Sequence, residues 1–204
     1  NYTEGNAATT LNTVLTVTDA DGDNITAATV TMSGVTTGDV LAVGTPGPYT
    51  PSYTTGTGVL TLSGTGSVAQ MQTALRSITY RNTGDDPTNG NTQNTRFIDY
   101  MITDATTATA SSNPDLGIAI TGQNDDPTIA TLPSDISVVQ NTASNVDLSA
   151  ATFDDVDAGN NSVTLKIVAG QGTLAAATGG GVTIGGSGTA TLTLTGTDSN
   201  IDTY

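Results

Sequence analysis

The feature that most constrains this chain is a succession of short runs in which every second residue is apolar. Val30 alternates with Met32, and Leu60 alternates with Leu62, with threonine or serine between and after them. A period of two puts the apolar side chains on one face of a strand, whereas a helix needs them three and four residues apart. Turn residues separate the runs at intervals of about ten to twenty residues, which predicts an all-β, antiparallel β-sandwich. The predicted strands are marked by Val14, Leu15 and Val17; Val30 and Met32; Val59, Leu60 and Leu62; Ile78 and Tyr80; Ile98, Tyr100 and Ile102; and Ile118 and Ile120.

One segment has helical spacing instead. Ser67 is followed by Val68, Met71 and Leu75, which share one face of a helix. Serine is a favourable N-cap because its hydroxyl accepts a hydrogen bond from an unpaired N–H of the first turn. We predict one short helix near residues 67–76, crossing between two sheets.

The composition agrees with a β fold and removes several classes of function. Threonine, a β-branched residue that favours strands, occurs 43 times in 204 residues. The sequence has no Cys and no His, which excludes disulfides, thiol chemistry, typical zinc sites and His-dependent triads. We therefore expect no enzyme activity. The four cations, Arg76, Arg81, Arg96 and Lys166, are too scattered for a nucleic-acid partner, and no apolar run reaches the roughly 18 residues of a membrane span.

The acidic residues outnumber the basic ones by 19 to 4, which gives a net charge of −15. All but one of the acids are Asp, which favours turns and ion sites, whereas Glu favours helices. A folded chain with this charge repels itself unless part of the charge is neutralised. A halophilic surface would spread its acids and use both types. Here the acids gather in short clusters, so bound divalent cations are the favoured interpretation.

A domain boundary is predicted at the polar run Asn124-Asp125-Asp126-Pro127, because strand signals stop at Ile120 and resume at Ile129. The predicted domains are residues 1–126 and 127–204. An internal repeat supports this division. The motif Asp19-Ala20-Asp21 is echoed by Asp155-Val156-Asp157, and residues 60–65 are matched by residues 192–197. We expect one whole module followed by a second that is truncated in its C-terminal half, where a crossing helix should begin near Tyr204.

Four clusters of oxygen-bearing side chains are candidates for ion binding. They are Asp19, Asp21 and Asp23; Asp85 and Asp86; Asn124, Asp125 and Asp126; and Asp154, Asp155 and Asp157. Calcium takes six to eight hard oxygen ligands in irregular geometry, so Asp and Asn in loops are suitable donors. The first cluster begins like an EF-hand loop, but Asn24 occupies the glycine position and no Glu follows at the twelfth position. An EF-hand is therefore excluded.

The order of these segments along the chain resembles cadherin-type repeats. It is most similar to the cadherin-like, immunoglobulin-fold modules that occur in tandem in large bacterial surface proteins and adhesins. The similarity covers nearly all of residues 1–127 and, in truncated form, residues 128–204. The segments that carry it are Tyr2-Thr3-Glu4-Gly5-Asn6; Thr18-Asp19-Ala20-Asp21; residues 60–80 with Leu75-Arg76-Ser77-Ile78-Thr79-Tyr80; Asp85-Asp86-Pro87; Ile102-Thr103-Asp104; and Asn124-Asp125-Asp126-Pro127.

The resemblance implies Ca²⁺ as the cofactor, bound at the junction between successive modules. The implied junction ligands are Glu4, Asp86 (with Asp85), Asn124, Asp125, Asp126, Asp155 and Asp157. A second, half-built site at the amino-terminal end of the first module would use Asp19, Asp21 and Asp104, together with a linker from a preceding module. Gln140 stands where the second copy should have an acid, and the linker is shorter than the Asp-x-Asn-Asp-Asn of animal cadherins. Because of Gln140, the next junction is expected to bind fewer ions or to bind them more weakly, whereas the short linker leaves open how many ions the junction at residues 124–127 binds.

Each cluster also has a simpler interpretation, in which Asp caps backbone N–H groups at a turn. Asp85-Asp86-Pro87 is equally typical of an ordinary turn. We expect Asp154 to be a solvated neighbour of the ligands. Four further acids are predicted to be surface charges, namely Asp39, Asp115, Asp135 and Asp202.

The resemblance implies an extracellular, cell-surface protein in which these modules form a stalk, spacer or filament that Ca²⁺ makes rigid. Its partners would be neighbouring modules of the same chain and identical subunits of a filament. The alternative is an adhesive module that recognises a surface glycan or protein through exposed loops. The local evidence for this alternative is Tyr49 and Tyr53, which lie among three prolines and would form a stacking platform. The same pattern also fits a long hairpin whose tyrosines lie back on the sheet.

Overall fold

A computed structural model describes residues 1–111 and 116–204, which form two compact units, Asn1–Gln123 and Asn124–Tyr204. The boundary falls three residues before the one proposed from the sequence. Most of the regular structure is strand, in several sheets with two short helices, as the alternating pattern predicts. No helix in the described part of the chain is both long enough and apolar enough to cross a membrane.

The first unit contains two sheets. Its elements are β1 (Tyr2–Thr3), β2 (Thr9–Thr10), β3 (Ile25–Ser33), β4 (Asp39–Val43), β5 (Thr50–Thr54), β6 (Val59–Gly66), α1 (Val68–Arg76), β7 (Ile78–Asn82), β8 (Thr95–Asp104), β9 (Thr109–Ser111) and β10 (Leu116–Thr121). The larger sheet has the order β1-β10-β8-β3-β6-β5, with β9 paired to β8, and the smaller has the order β2-β7-β4. The pairing is antiparallel except between β1 and β10, which run parallel.

One hydrophobic core receives side chains from both sheets, which is the arrangement of a β-sandwich. Val30 of the larger sheet and Leu41 and Tyr80 of the smaller sheet are all fully buried. Burial follows the period of two, since Leu60 and Leu62 are buried whereas the residues that follow each of them in β6 are exposed. Burying one such leucine contributes about 1.5–3 kcal/mol. The threonine-rich faces of the strands remain in water.

Helix α1 forms as the spacing predicts. Ser67 Oγ accepts a hydrogen bond from the Gln70 N–H, and Gln70 Oε1 accepts one from the Ser67 N–H, which makes a capping box. Met71 and Leu75 lie on the buried face. The helix connects β6 of the larger sheet to β7 of the smaller one, so the predicted crossing between sheets is confirmed.

The strand predicted at Val14–Val17 does not form. The side chains of helix α1 occupy its backbone groups instead, since the Val17 N–H donates to Gln72 Oε1 (3.1 Å) and Arg76 Nε donates to the Leu15 carbonyl (2.6 Å). Val14 is consequently exposed to solvent. The apolar residues of this segment do alternate, but its backbone groups bind side chains of a helix and not a neighbouring strand.

The second unit repeats part of the first. Its elements are β11 (Thr128–Ala130), β12 (Thr152–Asp154), β13 (Val163–Val168), β14 (Thr183–Gly185), β15 (Thr191–Gly196) and α2 (Asp198–Thr203). The sheet order β13-β15-β14 matches β3-β6-β5 of the first unit, and β11 pairs with β12 separately. Thr197 Oγ1 accepts a hydrogen bond from the Asn200 N–H and so caps α2 as Ser67 caps α1.

Candidate metal-binding loops

Glu4 lies just after β1, at the end of the larger sheet where β10 also ends. The parallel pairing of Tyr2 with Ile120 brings Glu4 beside Gln123. Glu4 Oε2 accepts a hydrogen bond from the Gln123 N–H (2.7 Å), and the Glu4 carbonyl accepts one from Gln123 Nε2 (2.7 Å). The residue is only 8% exposed. A carboxylate is thus held at the point where the first unit ends.

The loop that carries Asp86 reaches the same end of the unit. Asp86 Oδ1 accepts hydrogen bonds from the N–H (3.0 Å) and hydroxyl (2.9 Å) of Thr88, and Oδ2 accepts one from the Gly90 N–H (2.5 Å). Thr88 packs against Gly122, where a methyl group would lie 3.3 Å from the Thr88 side chain and 3.7 Å from Glu4 Oε2. Two predicted ligands, Glu4 and Asp86, therefore share one end of the first unit. Asp85 is exposed beside them.

A buried ion pair lies directly beneath this loop. Arg96 Nε donates to Asp39 Oδ2 at 2.6 Å, and both side chains are completely inaccessible to solvent. Asp39 Oδ1 also accepts hydrogen bonds from the Tyr80 hydroxyl (2.6 Å) and Asn82 Nδ2 (2.8 Å). The Thr36 N–H donates to Oδ2 as well (2.8 Å), so each carboxylate oxygen accepts at least two hydrogen bonds, which compensate the loss of hydration. The prediction that Asp39 is a surface charge is therefore wrong.

The sequence pattern around Arg96 indicates that its side chain is buried, although the count of scattered cations did not suggest this. Arg96, Ile98 and Tyr100 follow each other at a period of two, and all three side chains are buried in β8. An arginine on the apolar face of a strand requires a buried acid, because an isolated charge is costly to remove from water. The partner Asp39 had no comparable signal, since it stands at the first position of β4 after a turn.

The second predicted site falls at the opposite end of β8. Asp104 Oδ1 accepts hydrogen bonds from the Thr106 N–H (2.8 Å), the Thr106 hydroxyl (2.9 Å) and the Ala108 N–H (2.9 Å). The turn that contains Asp19 lies beside it, because the Ala105 N–H donates to the carbonyl of Asn24 (2.9 Å), which directly follows that turn. This end is about 30 Å from the Glu4 end, because β8 is ten residues long and a strand rises about 3.3 Å per residue.

Asp19 closes the turn that precedes β3. Its Oδ1 accepts hydrogen bonds from the N–H groups of Asp21 (3.0 Å), Gly22 (2.7 Å) and Asp23 (3.1 Å). The side chain of Asp21 is exposed. The structure thus brings the turns of Asp19 and Asp104 together and leaves Asp21 at their edge.

The remaining predicted ligands belong to the second unit. Asp155 Oδ1 accepts hydrogen bonds from the N–H groups of Asp157 (3.3 Å) and Ala158 (3.1 Å), which repeats the turn at Asp19. Asp157 Oδ2 accepts a hydrogen bond from the Asp125 N–H. Asn124 Nδ2 donates to the Asp125 carbonyl (2.8 Å), and Asp126 is exposed. Within this unit, the linker segment and the Asp155 turn therefore lie side by side.

The expected surface acids have different environments. Asp154 and Asp135 are exposed, as expected. Asp202 is exposed as well, although its Oδ1 accepts a hydrogen bond from the Phe153 N–H (2.8 Å). Asp115 lies outside the described residues.

The donor chemistry of these loops fits calcium. All the candidates supply carboxylate or amide oxygens, which are the ligands that Ca²⁺ prefers. The turns at Asp19, Asp104 and Asp155 each accept their hydrogen bonds through Oδ1, so the turn and a bond from Oδ2 to an ion are compatible. Within residues 1–111 and 116–204, no group of three or more acidic side chains is close enough to hold a metal ion. Each predicted site is present as separate loops.

The proline-rich hairpin does not offer a tyrosine platform. Tyr49 is only 3% exposed, and its hydroxyl donates to the Ile25 carbonyl (3.3 Å). Tyr53 packs against the core, and its hydroxyl donates to the Asp39 carbonyl (2.9 Å). Both rings lie back on the sandwich, which is the second of the two interpretations of this segment. The structure therefore removes the local evidence for a stacking site.

Comparisons of the sequence with protein-family models and with curated proteins, and of the fold with solved structures, return no match.

Proposed function

We propose that this chain is a structural segment of an extracellular, cell-surface protein, in which cadherin-like modules are made rigid by Ca²⁺ at their junctions. The observation that carries the proposal is the position of the acids along the first unit. Glu4 and the Asp86 loop occupy the end from which the chain passes to Asn124, and the turns of Asp19 and Asp104 occupy the other end. An ion-dependent chain of modules requires oxygen ligands at both ends of each module.

The repetition of fold elements supports a modular chain. Both units contain the same three-strand order followed by a helix with a Ser or Thr N-cap. Both also contain an acidic turn in which the first Asp accepts hydrogen bonds from the N–H groups two and three residues later. Repeated modules that follow one another in series and contact only their neighbours are suited to a mechanical role such as a stalk, spacer or filament.

The proposed mechanism depends on charge. Without cations, the carboxylates proposed as junction ligands would repel one another, and this repulsion would favour an open linker. Ca²⁺ would cancel the repulsion and would be shared by ligands from successive modules, so that the junction becomes stiff. Extracellular calcium modules work with dissociation constants of about 10⁻⁴–10⁻³ M, so moderate affinity is sufficient.

The proposal is tested by thermal unfolding of the 204-residue chain with excess Ca²⁺ and then with excess EDTA. A ligand present at about 100 times its dissociation constant adds about 2.7 kcal/mol to the free energy of unfolding. For a chain of this size we expect a rise in Tm of about 5–10 °C. Asp125→Asn combined with Asp155→Asn should abolish the rise.

The matched control is Asp135→Asn, which removes an exposed acid outside every predicted cluster. It should retain the full effect of Ca²⁺. Replacing Ca²⁺ by Mg²⁺ at equal concentration separates specific binding from general screening, because Mg²⁺ demands a tighter octahedral site. Identical melting curves with Ca²⁺ and with EDTA would overturn the proposal.

A further inference from the structure

The guanidinium of Arg96 is bonded on every nitrogen to a different part of the first unit. Nε binds Asp39 Oδ2 (2.6 Å), and Nη1 donates to the Gln93 carbonyl (2.8 Å). Nη2 donates to the Thr36 hydroxyl (2.6 Å) and to the Pro87 carbonyl (2.5 Å). The last contact reaches the backbone of the loop that carries Asp86.

A buried ion pair is by itself weak evidence of a contribution to stability. Replacing a buried ion pair by well-packed apolar residues of similar volume is often neutral or stabilising. An apolar pair at Arg96 and Asp39 would also bind no carbonyl group of the 85–88 loop. The specific property of the arginine is therefore its reach to that loop.

The Pro87 carbonyl is held by two donors. Besides the Arg96 contact, the Thr36 hydroxyl donates to it at 3.1 Å. Pro87 separates Asp86 from Thr88, and Asp86 accepts hydrogen bonds from Thr88 and Gly90. Because Pro87 lies in the middle of this turn, the bonds to its carbonyl also restrain Asp86 and Thr88.

We propose that Asp39, Arg96 and Thr36 are positioning residues that hold the Asp86 loop in its ion-binding conformation before the ion arrives. This inference rests on the proposed function, since it assigns the network to the same calcium site. Asp39 fixes the guanidinium, Arg96 and Thr36 fix the Pro87 carbonyl, and the turn then fixes the Asp86 carboxylate near Glu4. Loss of a partner that orients a metal ligand typically lowers metal affinity about 10–100-fold.

The main test is Thr36→Val in the 204-residue chain. This change keeps the side-chain shape and the bond between Arg96 Nε and Asp39, and it removes the hydroxyl that donates to the Pro87 carbonyl and accepts from Arg96 Nη2. Ca²⁺ affinity is measured by isothermal titration, and amide hydrogen exchange of Thr88 and Gly90 is measured in EDTA. We expect affinity to fall about tenfold and both amides to exchange faster. Thr36→Ser, which retains the hydroxyl, should restore the parent values.

The control is Thr61→Val, which also removes a threonine hydroxyl bound to a carbonyl, here that of Ser52 (3.3 Å), but on an exposed strand position. It should change neither the affinity nor the exchange of the Thr88 and Gly90 amides. If the parent chain binds Ca²⁺ and Thr36→Val binds it equally well, the positioning role is wrong and the proposed function stands. If the parent chain binds no Ca²⁺, both are wrong. Arg96→Lys keeps the charge but has one donor nitrogen in place of three, so it cannot bind Asp39, Gln93 and Pro87 together and should weaken binding at least as much as Thr36→Val.

Discussion

The two units contain the same run of strands and a capped helix, but the first covers the apolar face that these elements create more completely than the second. Leu62 of β6 is 0% exposed, and its counterpart Leu194 of β15 is 5% exposed and lines a groove of about 500 Å³. Of the large apolar side chains that are exposed among the described residues, three belong to the first unit and nine to the second. Similar local sequence has thus produced different degrees of burial.

The difference shows which elements supply the burial. In the first unit, α1 is followed by β7, and β7 together with β4 forms the sheet that faces the other side of the core. Within residues 124–204, the apolar side chains that pack on the three-stranded sheet from outside its strands include Ile201 of α2, Phe153, and Leu174 and Ala176 of the segment before β14. Alternating apolar residues and a helix cap therefore suffice to form the three strands and the helix of each unit. In the first unit, the core is completed by β7, which follows the helix, together with β4.

The largest expected effect comes from truncating the equivalent leucines. Leu62→Ala should lower the free energy of unfolding of the first unit by about 2–5 kcal/mol, because it leaves a cavity that the surrounding sandwich cannot fill. Leu194→Ala should cost the second unit only about 1–2 kcal/mol, since an open groove loses burial but creates no sealed cavity. Urea unfolding followed by residue-resolved amide exchange distinguishes the two units.

Equal losses in the two units would contradict this comparison, because they would mean that the groove of the second unit is closed in solution. Thr61→Ala and Thr193→Ala are matched controls on the same strands. Neither threonine is buried, so each change should have a much smaller effect.

Alkaline pH should affect the first unit more than the second. Burial raises the pKa of Tyr100 to about 12, and burial together with a hydrogen bond to Asp39 raises the pKa of Tyr80. The folded state therefore keeps protons that the unfolded state releases above its pKa of about 10, so stability is present below about pH 10 and is lost as the pH rises to about 12. For Tyr100 this corresponds to roughly 2–3 kcal/mol of stability. The second unit has one tyrosine, Tyr204, which is 45% exposed.

The measurement is the urea midpoint of each unit between about pH 9 and pH 12. Tyr100→Phe should flatten the pH dependence of the first unit and leave that of the second unchanged. An unaltered slope in Tyr100→Phe would show that other groups cause the alkaline loss.

The fold was predictable where a segment with apolar residues at strand spacing pairs with other strands, or where one with helical spacing forms a helix. The strands at Val30, Leu60 and Ile98 and the helix after Ser67 follow directly from their spacing. Val14–Val17 failed because its backbone binds helix side chains, and spacing alone cannot identify the partner of an extended segment. Hydrogen-bond partners that are distant in sequence are not encoded in local alternation.

The sequence predicted which loops carry the candidate acids, but it did not predict which of these loops lie close together. The sequence identifies the acids, but Glu4 and Gln123 are 119 residues apart along the chain, and they meet because the first and last strands of the unit pair in parallel. The network of Asp39 and Arg96 was missed because Asp39 was predicted to be a surface charge, although the register of β8 indicated a buried arginine. Calcium binding stays a prediction.

The smallest expected effect concerns the helix caps, which are the most similar feature of the two units. Ser67→Ala removes one half of a capping box with Gln70 and should cost about 1 kcal/mol. Thr197→Ala removes a single hydrogen bond from the Asn200 N–H (3.2 Å) and should cost about 0.5 kcal/mol. Helix α2 also buries only Ile201, so less packing depends on its first turn.

The effect of each cap is measured as the change in urea midpoint of its own unit, with Ser67→Thr and Thr197→Ser as controls that keep a capping hydroxyl. A larger loss for Thr197→Ala than for Ser67→Ala would reverse the comparison. It would mean that α2 is the main cover of the apolar face of the second unit, so that losing its first turn exposes the sheet beneath. In the first unit, losing the first turn of α1 has a limited effect because β7 and β4 still close the core. The ratio of the two cap effects therefore measures how much of each core depends on its helix.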